Sequence, residues 1–98
     1  MDERHRQVLQ QCSEYLIKNV RPQPVIDRLY ADGILTADDV DRLEQEATTS
    51  DKIRLLIGML LRAGPIAFSS LVTAMKETEQ SYVADQLLAK LNKGMSRE

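Results

Sequence analysis

The residues of this sequence that are able to do covalent or metal chemistry are few and far apart. His5 is the only histidine in the 98 residues, so a cluster of histidine metal ligands is excluded. Cys12 is the only cysteine, which excludes an intramolecular disulfide, and it falls on the apolar stripe of a predicted helix. A buried structural thiol is therefore favoured over a nucleophile.

A short run of acids is the other candidate for chemistry, either as metal ligands or as paired catalytic carboxylates. Asp38, Asp39 and Asp41 lie at the start of a predicted helix, where adjacent residues point about 100° apart and do not converge. The four glycines are scattered, so there is no glycine-rich phosphate-binding loop. The sequence predicts a protein that is not an enzyme and that uses no cofactor and no metal.

Length and composition indicate one small domain with an aliphatic core. Hydrophobic residues make up 43% of the chain but aromatic residues only 4%. The formal net charge is −2, without the basic excess that is typical of a nucleic-acid-binding protein. No apolar run approaches the ~20 residues that a membrane span needs. We therefore expect a cytoplasmic protein that binds neither nucleic acid nor membrane.

Helical periodicity runs through the whole chain, and no segment alternates apolar and polar residues as a half-buried strand does. Six groups of apolar residues are spaced by threes and fours, and they begin at Val8, Val25, Val40, Ile53, Phe68 and Val83. The predicted boundaries are Pro22 and Pro24 after the first helix, Gly33 ending the second, Thr36 capping the third, a loop with a capping signal at 48–51, Pro65 opening the fifth, and Ser81 and Gly94 bounding the sixth. Six short helices predict an all-α bundle.

Three stretches resemble the caspase-recruitment domain (CARD) family of the death-fold superfamily. Residues 29–36, LYADGILT, are similar to the junction between the second and third helices of that family. Residues 62–68, RAGPIAF, resemble its fourth-to-fifth helix signature, commonly Arg-Gly-x-x-Ala-Phe, here with Ala63 inserted. The opening residues, with Leu9 and Cys12, are similar to the start of initiator-caspase prodomains.

The resemblance implies a six-helix antiparallel Greek-key bundle whose first helix is bent or broken. It implies a CARD over residues 1–92, followed at 93–98 by a tail or the start of a linker. The implied function is homotypic CARD–CARD assembly in apoptotic or inflammatory signalling, which recruits or clusters a caspase. The implied partner is another CARD-containing protein, namely a caspase, an adaptor or an oligomeric scaffold, and self-association into helical assemblies is also expected. The chain would then be a non-catalytic module, such as the prodomain of a caspase.

Charge is strongly segregated along the sequence. Residues 27–46 hold seven acids and two bases, a net charge of −5, whereas residues 52–62 hold three bases and no acid. The resemblance implies that an acidic surface on the second and third helices docks on a basic surface of the first and fourth helices of a partner. The implied acidic residues are Asp27, Asp32, Asp38, Asp39, Asp41 and Glu44, and the implied basic residues are Lys18, Lys52, Arg54 and Arg62.

Other interpretations stay open at this point. Charge runs are commonly no more than solvated helix faces, and the domain would then be purely structural. Another death-fold subfamily would keep the function but move the binding surfaces. The second and third helices also resemble a helix-turn-helix, although a recognition helix with Asp38, Asp39 and Asp41 would repel DNA phosphates.

Overall fold

The computed structural model describes residues 3–64 and 66–96, with the side chains of the last helix described through Asn92. Within these residues the chain forms helices and no strand. The helices are α1 (Glu3–Gln11), α2 (Ser13–Asn19), α3 (Pro22–Ala31), α4 (Ala37–Glu44), α5 (Thr49–Leu61), α6 (Ala67–Glu77) and α7 (Ser81–Ser96). The prediction of an all-α bundle is confirmed.

The first predicted helix is broken at Cys12, as the resemblance implied. Cys12 has φ −95° and ψ 4°, outside the α-helical range, and it separates α1 from α2. Hydrogen bonds nevertheless continue across the break, from the Cys12 N–H to Val8 and from the Leu16 N–H to Cys12. The break therefore bends the helix without separating its halves, and the six predicted helices become seven segments.

Two of the predicted helix ends have the expected geometry. The Thr36 hydroxyl accepts the Asp39 N–H at 3.1 Å, and the Asp39 carboxylate accepts the Thr36 N–H at 3.0 Å. This reciprocal pair is a capping box, which fixes the start of α4. Gly33 follows α3 with φ +80°, and the Ile34 N–H bonds back to the Leu29 carbonyl. Glycine enters this left-handed conformation without the steric cost that a Cβ brings.

Three predicted boundaries are wrong. The capping signal predicted at 48–51 is confirmed, since the Thr48 hydroxyl accepts the Asp51 N–H, but the stretch is not a loop, because α5 begins at Thr49. Ser81 is the first residue of α7 rather than its cap, and α7 continues through Gly94 to Ser96. A glycine inside a helix costs only about 1 kcal/mol, so it need not end one. Pro65 and residues 97–98 lie outside the described residues, and the domain boundary at residue 92 stays a prediction.

The core is aliphatic, as predicted, with α5 at its centre. α5 packs against α1, α2, α3 and α4, and its buried side chains face the core. Phe68 of α6 supplies a buried aromatic ring. α1 and α2 together run antiparallel to α5: the Arg6 guanidinium donates to the Leu61 carbonyl at 2.6 Å, at the far end of α5.

Gln80 joins two connections of the bundle through its buried side chain. Its Oε1 accepts the Arg21 N–H at 2.7 Å, and its Nε2 donates to the Arg21 carbonyl at 3.3 Å. Nε2 also donates to the Thr78 hydroxyl at 3.0 Å. The turn between α2 and α3 is thereby tied to the turn between α6 and α7.

Candidate protein-interaction surfaces

Cys12 and His5, two of the residues considered for chemistry, are both packing residues. The Cys12 side chain is buried, and burial raises the pKa of its thiol, although the nearby Lys90 ammonium acts in the opposite direction. A raised pKa keeps the thiol protonated and unreactive at neutral pH. The His5 ring stacks on Phe68 with 4.3 Å between ring centroids and an angle of 8° between planes. The prediction of a buried structural thiol is confirmed.

Three predicted acidic residues form one row along the outer side of α4. Asp38, Asp41 and Glu44 are spaced by three residues, so each is turned only about 60° from the one before. All three are exposed. Within the described part of the chain, none of their carboxylates forms a salt bridge. We call Asp38, Asp41 and Glu44 the acidic row.

The other three predicted acids have partners within the chain. Asp39 is half-buried, and its carboxylate closes the capping box with Thr36. The Asp32 carboxylate accepts from the Arg28 Nε at 3.2 Å, and the same guanidinium forms an ion pair with Glu77 of α6. These carboxylates stabilise the fold, so less of their charge is left to attract a partner.

Asp27 differs from Asp32 and Asp39, because its partner carries no charge. It is exposed on α3 and accepts a hydrogen bond from the Gln23 amide at 2.9 Å. An amide donor leaves the carboxylate with its full negative charge. Asp27 therefore adds a fourth uncompensated acid, on the helix that precedes α4.

The two predicted arginines lie on the outer side of α5, with Gly58 between them. Arg54, Gly58 and Arg62 are spaced by four residues, so each is turned only about 40° from the one before. Both arginines are exposed. The Arg54 Nη1 lies 3.0 Å from the Asp51 Oδ1, one turn earlier in the helix. We call Arg54, Gly58 and Arg62 the arginine row.

Lys52 does not lie with the arginine row. It is two residues before Arg54, which places the two side chains about 200° apart around α5. Met59, seven residues after Lys52 and thus on nearly the same side of the helix, lines a groove shared with Asp39 and Arg42 of α4. Lys52 therefore lies on the flank of α5 that faces α4.

Lys18 lies at the same end of the bundle as Arg54, because α2 packs against α5. It is exposed and lies two residues after Leu16, whose side chain is buried. Because α1 and α2 run antiparallel to α5, the end of α2 that carries Lys18 is near the start of α5, which carries Arg54. Lys18 and Arg54 are thus on neighbouring helices at the same end of the bundle.

The central residue of the acidic row, Asp41, and the first residue of the arginine row, Arg54, point in different directions from neighbouring helices. Asp39 and Arg42 of α4 line the groove between α4 and α5 together with Arg62, so the arginine row reaches this groove at its Arg62 end. Asp41 is two residues from Asp39, so it points about 200° away and lies on the far side of α4 from α5. Asp41 and Arg54 therefore both point away from this groove, one on the side of α4 and one on the side of α5.

Two residues that shape the arginine row were missed by the sequence argument. Asp51 stands three residues before Arg54, a spacing that typically produces an ion pair on a helix. Gly58 is a glycine within a strongly apolar helical pattern, which is itself a signal that something other than helix formation selects it. Both signals were present in the sequence.

An all-α bundle that exposes charged side chains and uses its cysteine and histidine for packing is typical of helical protein-interaction domains. Comparison with family models matches residues 6–90 to the caspase recruitment domain. The chain belongs to the caspase recruitment domain family, and its helical bundle is that of the death fold. Domains of this family are non-catalytic and bind other domains of the same family.

A curated relative supports the same family. Human apoptotic protease-activating factor 1 is 28% identical over 75 residues, which make up 76% of this chain. The match covers 6% of that protein, so the chain spans a small part of the length of the relative. Among the described residues, no helix has the length and apolar character needed to cross a bilayer.

Proposed function

We propose that this chain assembles with a second CARD by docking the acidic row of one domain on the arginine row of the next. The observation that carries this proposal is that Asp41, in the middle of the acidic row, points to the far side of α4 from α5, while none of the three carboxylates of the row forms a salt bridge among the described residues. Asp27 and Lys18 extend the acidic and the basic surface onto α3 and α2 respectively. Lys52 contributes less because it lies on the flank of α5 that faces α4. Asp32 and Asp39 contribute less because their carboxylates already bind Arg28 and the Thr36 N–H.

Two different surfaces that attract each other form a heterologous contact. Such a contact does not close by a two-fold axis, so after each docking event one acidic row and one arginine row stay free. Further domains add at both ends, which produces an open spiral or a closed ring. The proposal therefore includes self-association as well as binding to a CARD of another protein.

The strength of the assembly comes from many weak charge pairs. A single exposed pair contributes about 0.2–1 kcal/mol, which is too little to hold two domains together. Complementary patches also speed encounter and reject wrong partners, so their contribution exceeds that of one pair. We infer that isolated domains associate weakly and that clustering by a scaffold raises their effective concentration enough for assembly.

The cellular role that we propose is the recruitment or clustering of a caspase in the cytoplasm, in apoptotic or inflammatory signalling. The similarity to a relative named apoptotic protease-activating factor 1 favours the apoptotic branch. In this role the domain does no chemistry itself. It brings the proteins attached to each copy close together, and proximity allows zymogens to activate one another.

Reversal of one charge in the arginine row tests the proposal. We expect Arg54→Glu to abolish self-association in sedimentation velocity while the helical circular dichroism and the denaturation midpoint stay nearly unchanged. Arg54 is exposed, so its replacement disturbs no buried contact. Lys90→Glu is the matched control, because it makes the same charge change at an exposed position of α7.

Salt provides a second test of the same proposal. Exposed charges are screened over a Debye length of about 8 Å at physiological ionic strength and about 3 Å at 1 M. Self-association should therefore weaken steadily as salt is raised. A folded Arg54→Glu domain that assembles as well as the unmodified chain would overturn the proposed function.

A further inference from the structure

Gly58 is an unexplained residue at the centre of the arginine row. It lies in the last turn of α5, three residues before the helix ends at Leu61. Glycine within a helix loses more backbone freedom on folding than alanine does, so it weakens the helix. A glycine in such a position needs a reason.

The fold itself supplies no such reason. Gly58 does not have the left-handed backbone conformation that favours glycine. A Cβ built at residue 58 would meet one side-chain atom within 4 Å, the Arg62 Nη1 at 3.8 Å, which is an ordinary van der Waals contact. Alanine therefore fits at this position without any movement of the chain. Gly58 is half-buried, and among the described residues the Arg62 guanidinium is the one group beyond the helix's own backbone that reaches this space.

We propose that Gly58 is a close-approach site, over which the acidic row of a second copy of this chain lies in the assembly. The exposed arginines stand one turn before and one turn after Gly58. The missing side chain leaves a shallow saddle between them, reached on one side by the flexible Arg62 side chain, into which a partner helix can come nearer than a side chain at residue 58 would allow. This inference rests on the proposed function and identifies the residue that sets the distance of approach.

The dimensions of the two rows agree with this arrangement. At about 1.5 Å per residue, Arg54 and Arg62 are about 12 Å apart along α5, and Asp38 and Glu44 are about 9 Å apart along α4. Their charges are opposite, and Asp41 in the middle of the acidic row would lie over the glycine. Closer approach brings both guanidinium groups within hydrogen-bond distance of carboxylates, where charge-assisted bonds are strongest.

Two variant chains, each with only one of the two charged rows intact, allow a direct test of the close-approach site. A chain with Asp41→Lys keeps the arginine row, and a chain with Arg54→Glu keeps the acidic row. We expect Gly58→Gln to weaken the one-to-one association of this pair by at least about tenfold when it is placed on the Asp41→Lys chain. The same substitution on the Arg54→Glu chain, whose arginine row is not in the contact, should leave the affinity unchanged.

A smaller substitution separates assembly from folding. Gly58→Ala should raise the thermal midpoint of the isolated domain by roughly 4 °C and still weaken the pair by several-fold. Ala89→Gln, at an exposed position of α7, introduces the glutamine side chain away from either row and should change neither quantity.

The outcomes distinguish this inference from the proposed function. Equal affinities for glycine, alanine and glutamine at residue 58 would overturn the close-approach site and leave charge docking intact. A pair of single-surface chains that does not associate even with Gly58 present would overturn the proposed function, and the close-approach site with it.

Discussion

Arg54 and Asp51 form an ion pair across one turn of α5, with 3.0 Å between the Arg54 Nη1 and the Asp51 Oδ1. Both side chains are largely exposed, at 62% and 49%. Water screens such a pair, so it adds little to the stability of the fold. Its larger effect is on the arginine row, because Asp51 offsets part of the positive charge that a partner would meet.

Asp51→Asn should therefore strengthen assembly. We expect the association constant to rise about two- to fivefold at low salt, since an exposed pair is worth up to about 1 kcal/mol. The fold should lose less than about 1 kcal/mol, mainly because an acid in the first turn favours the helix dipole. Sedimentation velocity and urea denaturation measure the two effects. Asp85→Asn removes the same charge from α7, so a matching gain there would show that net charge alone is responsible.

Asp39 and Asp41 lie two residues apart on α4. Replacing each in turn should distinguish an acid that stabilises the fold from an acid that binds a partner. Asp39→Ala removes half of the capping box and should lower the free energy of unfolding by about 0.5–1 kcal/mol, with little effect on assembly of the folded domain. Asp41→Ala should leave stability unchanged or slightly higher, because alanine favours the helix, and should weaken assembly about fivefold. If both variants lost assembly equally, the division between engaged and free carboxylates would be wrong.

The buried amide of Gln80 predicts a large change in stability at a distance from either row. Gln80→Met keeps a similar shape but leaves the Arg21 N–H and carbonyl without their buried partner. We expect the free energy of unfolding to fall by about 1–3 kcal/mol, as measured by urea denaturation. Gln86→Met, at an exposed position of α7, should have almost no effect. A Gln80→Met domain as stable as the unmodified chain would show that water replaces the side chain.

Much of the fold follows from short-range signals in the sequence. The six apolar patterns give the helices, and Thr36 and Gly33 give two of their ends, because capping depends on residues only three to five positions apart. The burial of Cys12 follows from its place on the apolar stripe. The break at Cys12 does not follow from periodicity, since a change in one residue's ψ leaves the hydrogen bonds on both sides in place.

The binding surfaces were harder to predict, because the net charge of a sequence segment does not show the direction in which each side chain points from its helix. Lys52 and Arg54 count equally in a segment sum, yet they lie on opposite flanks of α5. Asp39 counts equally with Asp41, yet its carboxylate is used by the Thr36 N–H. Gln80 was missed for a different reason, because its burial depends on a turn 59 residues away in sequence.

The most direct test of charge docking is to mix the Asp41→Lys chain with the Arg54→Glu chain and measure their mass in solution. Each chain alone has lost one of its two surfaces and should stay monomeric by sedimentation velocity. The mixture should form a one-to-one complex that does not grow, because only one intact acidic row and one intact arginine row can meet. A mixture that stays monomeric at concentrations where the unmodified chain assembles, or a single variant that assembles alone, would contradict the account.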